Sequence, residues 1–380
     1  MRVFIYIIIF FSFFDLFSQL PIMSPFAKSL GATPFVTGLV VGMYSFSNTI
    51  GNVISGFLTD KKGPYYILII GLFTTSISLF MYQGVNDPVG LLIVRFIHGL
   101  VAGLVVPSAF TYSANQTSAE KRGKGVALSG AFVGLAAILG PAMSGIMASK
   151  REEVFVLNIT GSIMLILSIL SVFLLRTVSI NKKMEKSVSV TVGCLFTKSD
   201  LVKAFAGAFF LMFSQGVLAY MLPLKVLHLG FDSKTSGLLL STFGFVAILV
   251  FILPINQLFD QVKPIKTLAF GMGLMGISML LLGQIDTLQW LYVGMGFYGV
   301  GFGFLFPSIN SLLIDSTEAA YRGKAYGYFY AFFSIGVVVG SSVTGLLQLT
   351  ANGGFLLAGG MLVCLSALFM IKEKNKLGSP

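Results

Sequence analysis

Gly99-Leu100-Val101-Ala102-Gly103-Leu104-Val105-Val106-Pro107-Ser108 and Gly299-Val300-Gly301-Phe302-Gly303-Phe304-Leu305-Phe306-Pro307-Ser308 share two glycines, a proline and a serine at a spacing of 200 residues. The register extends outward without a gap. Leu58, Asp60, Pro64 and Gly71 meet Leu258, Asp260, Pro264 and Gly271; Arg122-Gly123-Lys124 meets Arg322-Gly323-Lys324; Gly140 and Gly145 meet Gly340 and Gly345. Repetition at a fixed offset marks a structure built of like units. Here the repeated stretches are almost wholly apolar, which points to two parallel halves in a membrane.

The 380 residues are 56% hydrophobic and 10% charged, with mean hydropathy +0.91. A soluble domain carries about 25% charged residues, so lipid is the expected solvent. Apolar runs long enough for a hydrocarbon core of about 30 Å fall at 3–24, 35–58, 64–83, 88–112, 125–149 and 153–176. In the second half they fall at 203–224, 235–257, 264–284, 287–314, 324–349 and 352–371. The expected fold is therefore an all-α polytopic membrane protein of two pseudo-symmetric six-helix bundles, 1–176 and 203–380. A polar linker, 177–202, carries Lys182, Lys183, Glu185 and Lys186 between them. The apolar run after Arg2 contains Asp15 and lacks a small-residue cleavage site, so it reads as a first span rather than a signal peptide.

The net charge is +11, but its placement argues for topology rather than nucleic acid. Nineteen of the 25 Lys and Arg flank the spans on one side, five on the other (Lys28, Lys150, Arg151, Lys225, Lys234), and Arg95 lies within a span. Basic residues stay on the cytoplasmic side. Both termini and the linker are thus expected there, in the cytoplasmic membrane of a bacterium. Cys194 and Cys364 suggest neither a metal site nor a disulfide, and no cofactor is expected. Gly271-Gly273-Gly276 and Gly294-Gly296-Gly299 match a dinucleotide fingerprint by spacing, but both lie inside apolar runs, where small residues pack helices. With two histidines in the chain and no catalytic pair at membrane depth, an enzyme is not expected.

Ionisable groups at membrane depth cost roughly 2.5–3.5 kcal/mol each on insertion scales, and two stand out: Asp15 and Arg95. At about 1.5 Å per residue they sit within roughly one helical turn of each other in depth. Each can offset the desolvation of the other. Such a pair is either a fixed structural link or the place where a carboxyl takes up and releases a proton. The repeat maps Asp15 onto Gln215 and Arg95 onto Met295, so proton chemistry is expected in the first half alone. His98, one turn from Arg95, can relay protons or complete a polar cluster. Phe11 lies one turn from Asp15, while Tyr298 and Phe302 lie one and two turns from Met295. With Gln215 and His98 these residues are the expected lining of a substrate cavity between the halves. Few polar groups among many aromatics suit an amphipathic or lipophilic small molecule. Ser45, Asn48 and Asn52 form a polar stripe that either packs helices or lines that cavity.

Four motifs carry a resemblance that covers the whole chain. Gly56-Phe57-Leu58-Thr59-Asp60-Lys61-Lys62-Gly63 falls between the second and third spans. Leu91, Arg95, His98 and Gly99 mark the fourth, and Gly140-Pro141-Ala142-Met143-Ser144-Gly145 the fifth. Pro21 and Pro25 follow Asp15 in the first. Together these resemble the major facilitator superfamily, in particular its twelve-span drug:proton antiporters. His98 stands where that group usually has Gln, Ser144 replaces a glycine, and Pro64-Tyr65-Tyr66 replaces a basic pair. The resemblance implies alternating access, with Arg95 taking part in proton transfer, beside the reading of Asp15 as the proton carrier that the buried pair itself suggests. It also implies a cytoplasmic gate involving Asp60, Gly63, Arg122 and Arg322, and a fifth-span bias toward export from Gly140, Pro141 and Gly145. The expected activity is proton-coupled export by a monomer embedded in the lipid bilayer, with a small molecule and protons as its partners. The alternatives are a lipid or glycolipid flippase and a metabolite or metallophore transporter of the same fold.

Overall fold

The computed structural model describes residues 2–115, 122–175, 196–253, 262–317 and 322–378, and among these there is no strand. The helices in chain order are α1 (Arg2–Ser18), α2 (Met23–Ser29), α3 (Pro34–Lys62), α4 (Pro64–Phe80), α5 (Pro88–Ala102), α6 (Val105–Asn115) and α7 (Arg122–Ala148). They continue as α8 (Glu153–Leu174), α9 (Ser199–His228), α10 (Ser233–Ile252), α11 (Pro264–Leu282), α12 (Leu288–Asp315), α13 (Arg322–Leu346) and α14 (Ala351–Gly378). Ten helical stretches among the described residues are long and apolar enough to cross a bilayer. The pair α1 and α2, bent by 46°, makes an eleventh. α3 matches them in length at 29 residues, but Ser45, Ser47, Asn48, Thr49 and Asn52 interrupt its apolar run. Of the expected linker, 177–195 lie outside the described residues, and α9 already begins at Ser199.

Local chemistry sets the breaks. Pro21 lies in the turn between α1 and α2, where the ring removes a donor and bends the chain. Thr33 caps α3 by accepting from Val36 N–H, and Pro34 and Pro64 take first-turn positions, where a missing N–H is harmless. Gly63 joins α3 to α4 at φ +84°, a conformation that disfavours side chains bearing Cβ. Its repeat mate Lys263 precedes Pro264 with φ −51°. The proline recurs while the glycine turn does not.

The chain divides into two compact units, Met1–Lys182 with Val226–Ser241, and Lys183–Lys225 with Thr242–Pro380. In the first unit α1 packs on α7, α3 on α5, and α4 on α6 and α8. Gly145 and Gly237 pack closely there, the former against Ser233 O, the latter against Pro141 O; such small-residue contacts hold 226–241 to this unit. In the second unit α11 packs on α12 and α14. Gly216, Gly336 and Gly340 let α9 meet α13 backbone to backbone. Lys225 ties three pieces of chain there: its Nζ donates to Leu282 O at 2.7 Å and Asn352 Oδ1 at 2.8 Å, and pairs with Asp286 Oδ1 at 3.1 Å. The two glycine fingerprints lie within α11 and α12, and most of their glycines face neighbouring helices, as packing requires.

Gly99 is the tightest of the repeated positions in the first unit. A Cβ there would lie 2.9 Å from Tyr44 Cα, and closer still to Tyr44 O and Ser47 Oγ. Asn48 of the polar stripe donates to Gly99 O at 3.3 Å, so that stripe packs α3 on α5. Gly99→Ala is expected to destabilise the protein by about 1–3 kcal/mol through overpacking. Gly296, with nothing within 4 Å of its ideal Cβ, is the control: Gly296→Ala should be neutral or stabilising by about 0.5–1 kcal/mol. Thermal unfolding in detergent measures both, and equal transitions for the two variants would contradict this account of the α3–α5 contact.

Candidate functional site

Asp15 sits near the end of α1, just before the bend, and is 1% exposed. Its backbone carbonyl accepts from Ser18 Oγ at 3.0 Å and from Gln19 Nε2 at 2.9 Å, so side chains satisfy it where the helix stops. The carboxylate accepts from Gln19 Nε2 through Oδ1 at 2.9 Å. Through Oδ2 it faces His98 Nε2 at 3.1 Å and, more loosely, Tyr44 OH at 3.4 Å. His98 in turn has its Nδ1 3.1 Å from Tyr82 OH.

Arg95 does not touch Asp15. Its Nε donates to Val40 O at 3.0 Å and its Nη2 to Val41 O at 3.2 Å, both on α3; its Nη1 donates to Gln19 Oε1. The guanidinium lies 5.0 Å from the centre of the Tyr44 ring, within cation–π range. Gln19 therefore stands between the two charges, with its oxygen toward the donor-only guanidinium and its amide N–H₂ toward the carboxylate. The sequence reading brings Asp15 and Arg95 to one depth. In the structure they join one cluster, but the side chains in direct contact with the Asp15 carboxyl are Gln19 and His98, the latter an ionic partner only when its imidazole is protonated. Gln19, one helical turn beyond Asp15, lies over the carboxylate and takes the guanidinium's donor on its own oxygen.

Arg95 and His98 lie three residues apart on α5, whose start is fixed by Asp87 accepting from Val89 N–H and Gly90 N–H. Asp15, Gln19, Tyr44, Tyr82, Arg95 and His98 are all buried. The imidazole can bridge Tyr82 and Asp15 in two ways: neutral with its proton on Nε2 and Nδ1 accepting, or protonated and donating from both nitrogens. The cluster thus contains a carboxylate, an imidazole and a permanently charged guanidinium, closed off from water within one unit.

The expected lining residues divide by exposure. Phe11, Gln215 and Phe302 are half-buried, whereas His98, Met295 and Tyr298 have no exposed surface. Tyr298 shares a 2.8 Å hydrogen bond with Ser214, and its ring meets Phe243 edge-on at 5.4 Å. Phe302 stacks on Phe306 at 5.7 Å, and Phe11 packs with Phe10 and Phe14. Among the gating residues, Gly63 makes the α3–α4 turn, Gly140 packs against Phe17 and Ser18 of α1, and Pro141 and Gly145 face α10. The side chains of Asp60, Arg122 and Arg322 lie outside the described residues. A cavity of about 510 Å³, lined by Leu58, Lys62, Tyr66, Ile67, Ile70 and Leu104, opens beside the Gly63 turn, formed by residues other than the polar cluster.

Three participants escape the sequence reading. Gln19 is one turn beyond Asp15, and its repeat mate is Ala219, so it belongs to the same first-half departure as Asp15 itself. Tyr44 lies one turn before Asn48 on the polar stripe. Tyr82 carries no pattern that separates it from an interfacial aromatic.

Comparison with known proteins gives the family. The sequence profile of the Major Facilitator Superfamily matches residues 5–200 and again 204–379. A multi-drug resistance efflux pump of Streptococcus pneumoniae, PmrA, is 26% identical over 331 residues, covering 84% of this chain and 82% of the pump. A quinolone resistance protein of Staphylococcus aureus, NorA, is 24% identical over 349 residues, covering 90% and 88%. The crystal structure of a nucleoside transporter, NupG, superposes with a TM-score of 0.80 at 18% identity, covering 97% of this chain and 98% of that one, a likeness of fold alone. With its profile matched across both halves, this chain belongs to the Major Facilitator Superfamily of multi-pass membrane transporters.

Proposed function

We propose that this transporter exports an amphipathic or lipophilic small molecule in exchange for protons, by alternating access, with Asp15 as the proton carrier. The observation that carries the reading is the His98–Asp15 pair, 0% and 2% exposed at the side chains, within a membrane-spanning unit. A buried ion pair is weak evidence for stability, because well-packed apolar residues do as well or better. A titratable pair at this depth is therefore better explained by work that requires a proton to move. The relatives named a multi-drug efflux pump and a quinolone resistance protein support export and the substrate class. Phe11, Gln215 and Phe302, half-buried in the structure, are the side chains assigned to the substrate. The charge distribution supports cytoplasmic termini in a bacterial cytoplasmic membrane; the moving bundles of the proposed mechanism are 1–176 and 203–380, and the working unit is a monomer.

Asp15→Asn keeps the size of the side chain and one of its two acceptor oxygens but cannot ionise. In proteoliposomes with an imposed pH gradient, it should abolish proton-driven movement of a ligand chosen by thermal-shift screening, while insertion and folding stay normal. Full gradient-driven transport in this variant refutes the carrier role. Arg95→Ala removes the donor to Val40 O, Val41 O and Gln19. It should lower stability by about 3–5 kcal/mol, as for other broken buried charges, and shift the pH at which transport is half-maximal. A destabilised variant with an unshifted pH profile would show that Arg95 only holds α3 to α5.

A further inference from the structure

A carboxyl that is 1% exposed can carry protons only if something delivers them. Its neighbours narrow the route. The Gln19 amide does not exchange protons at useful rates. Tyr44 offers Oδ2 a long 3.4 Å contact and leads no further among the described residues. Arg95, reached through Gln19, donates to two backbone carbonyls and acts on the Tyr82 hydroxyl as a fixed positive charge, but it never deprotonates and so passes no proton on. Among the described residues, only the line from Asp15 Oδ2 through His98 Nε2 and Nδ1 to Tyr82 OH continues, with 3.1 Å at each step. Tyr82 lies in the 3₁₀ turn Met81–Gly84 that ends the third span, buried among chain neighbours Gln83, Gly84, Asn86 and Asp87 that are exposed. A short 3₁₀ turn holds its geometry with poorer hydrogen bonds than an α-helix, so opening that one turn would bring water to the Tyr82 hydroxyl.

We propose that Tyr82 and His98 form a two-step proton relay between Asp15 and the turn joining α4 to α5, which is the outer end in the orientation proposed above. The relay rests on the reading of Asp15 as carrier. In the first step Tyr82 gives its hydroxyl proton to His98 Nδ1 and regains one from a hydronium ion, which leaves as water; the tyrosine is neutral again and the imidazole is protonated. In the second, the Nε2 proton passes to Asp15 Oδ2. The carboxylate becomes a carboxylic acid, and the imidazole is left neutral with its proton on Nδ1. One proton has entered, and the imidazole proton has moved from Nε2 to Nδ1, so the ring must return to its first tautomer before a second proton can follow. The groups facing His98 are Asp15 of α1, Tyr44 of α3 and Tyr82 of the turn, with Arg95 one turn away on its own helix.

The test needs no substrate. A pH jump on purified protein, followed by time-resolved infrared spectroscopy, reports protonation of buried carboxyls, and the difference between wild type and Asp15→Asn isolates the Asp15 band. Tyr82→Phe keeps the ring and its packing but removes the hydroxyl. It should slow growth of the band by about tenfold or more, as expected when a positioned proton-transfer group is lost, while the final amplitude stays unchanged. His98→Gln retains a hydrogen-bonding side chain that cannot titrate, and should slow the band at least as much. Rates within about twofold of wild type in both variants overturn the relay while leaving Asp15 as carrier, since the expected loss is tenfold. If Asp15→Asn removes no pH-dependent band, the carrier reading itself fails, and the relay with it.

Discussion

A guanidinium and a carboxylate inside a membrane-spanning bundle must find their partners within the protein, because neither lipid nor the packed interior solvates them. In the first unit that requirement draws four separate pieces of chain together. α1 and the bend after it supply Asp15 and Gln19, α3 supplies two carbonyls and Tyr44, the 3₁₀ turn supplies Tyr82, and α5 supplies Arg95 and His98. The bend after Ser18 is part of the same solution. It ends α1 where Gln19 can reach both charges, and the Asp15 carbonyl it frees is taken up by Ser18 and Gln19. Gly99 belongs to it as well: without close approach of α5 to α3, Arg95 Nε would not reach Val40 O.

The second half builds a similar frame and leaves the charges out. Tyr298 stands at the repeat position of His98, and it too hydrogen-bonds to the helix that opens its half, here through Ser214, next to Gln215. Gly299 again lets the fourth helix of the half press on the second, against Phe243 O. Met295 replaces the guanidinium with a side chain that needs no partner, and is fully buried. The helix contacts are thus a property of the repeat, while the ionisable cluster is an addition to one copy of it. Selection for stability alone would favour the uncharged version, which the same scaffold accommodates.

Much of this was legible in the sequence, because periodic and costly features leave a trace in the residues themselves. The 200-residue register predicted the repeated helices, the glycine and proline positions predicted tight contacts and breaks, and the rarity of charge within spans singled out Asp15 and Arg95. The direct contact between these two was not a safe inference, since depth along a helix says nothing about azimuth or about what lies between. Gln19 escaped although it lies one turn beyond Asp15, because a neutral amide carries no charge to mark it within a span. Tyr82 escaped because aromatic residues near span ends are common and nothing in the linear pattern marks one as hydrogen-bonded to a histidine. The grouping of Val226–Ser241 with the first unit likewise follows from a glycine contact in space, Gly145 with Gly237, that no local pattern announces.

The arrangement also explains how a single proton would have a large structural effect. With Asp15 ionised and His98 neutral, the cluster holds one negative and one positive charge joined through Gln19, and its net charge is zero. Protonating the carboxyl leaves the Arg95 charge without its counterion, in surroundings where Coulomb interactions are several times stronger than in water. The guanidinium is anchored to α3 and cannot shed its proton, so the imbalance cannot relax by a second titration at Arg95. It can relax by admitting water or by shifts of α1, α3 and α5 within the first unit. In the proposed mechanism the driving element is therefore the fixed charge of Arg95, and Asp15 determines when that charge is balanced.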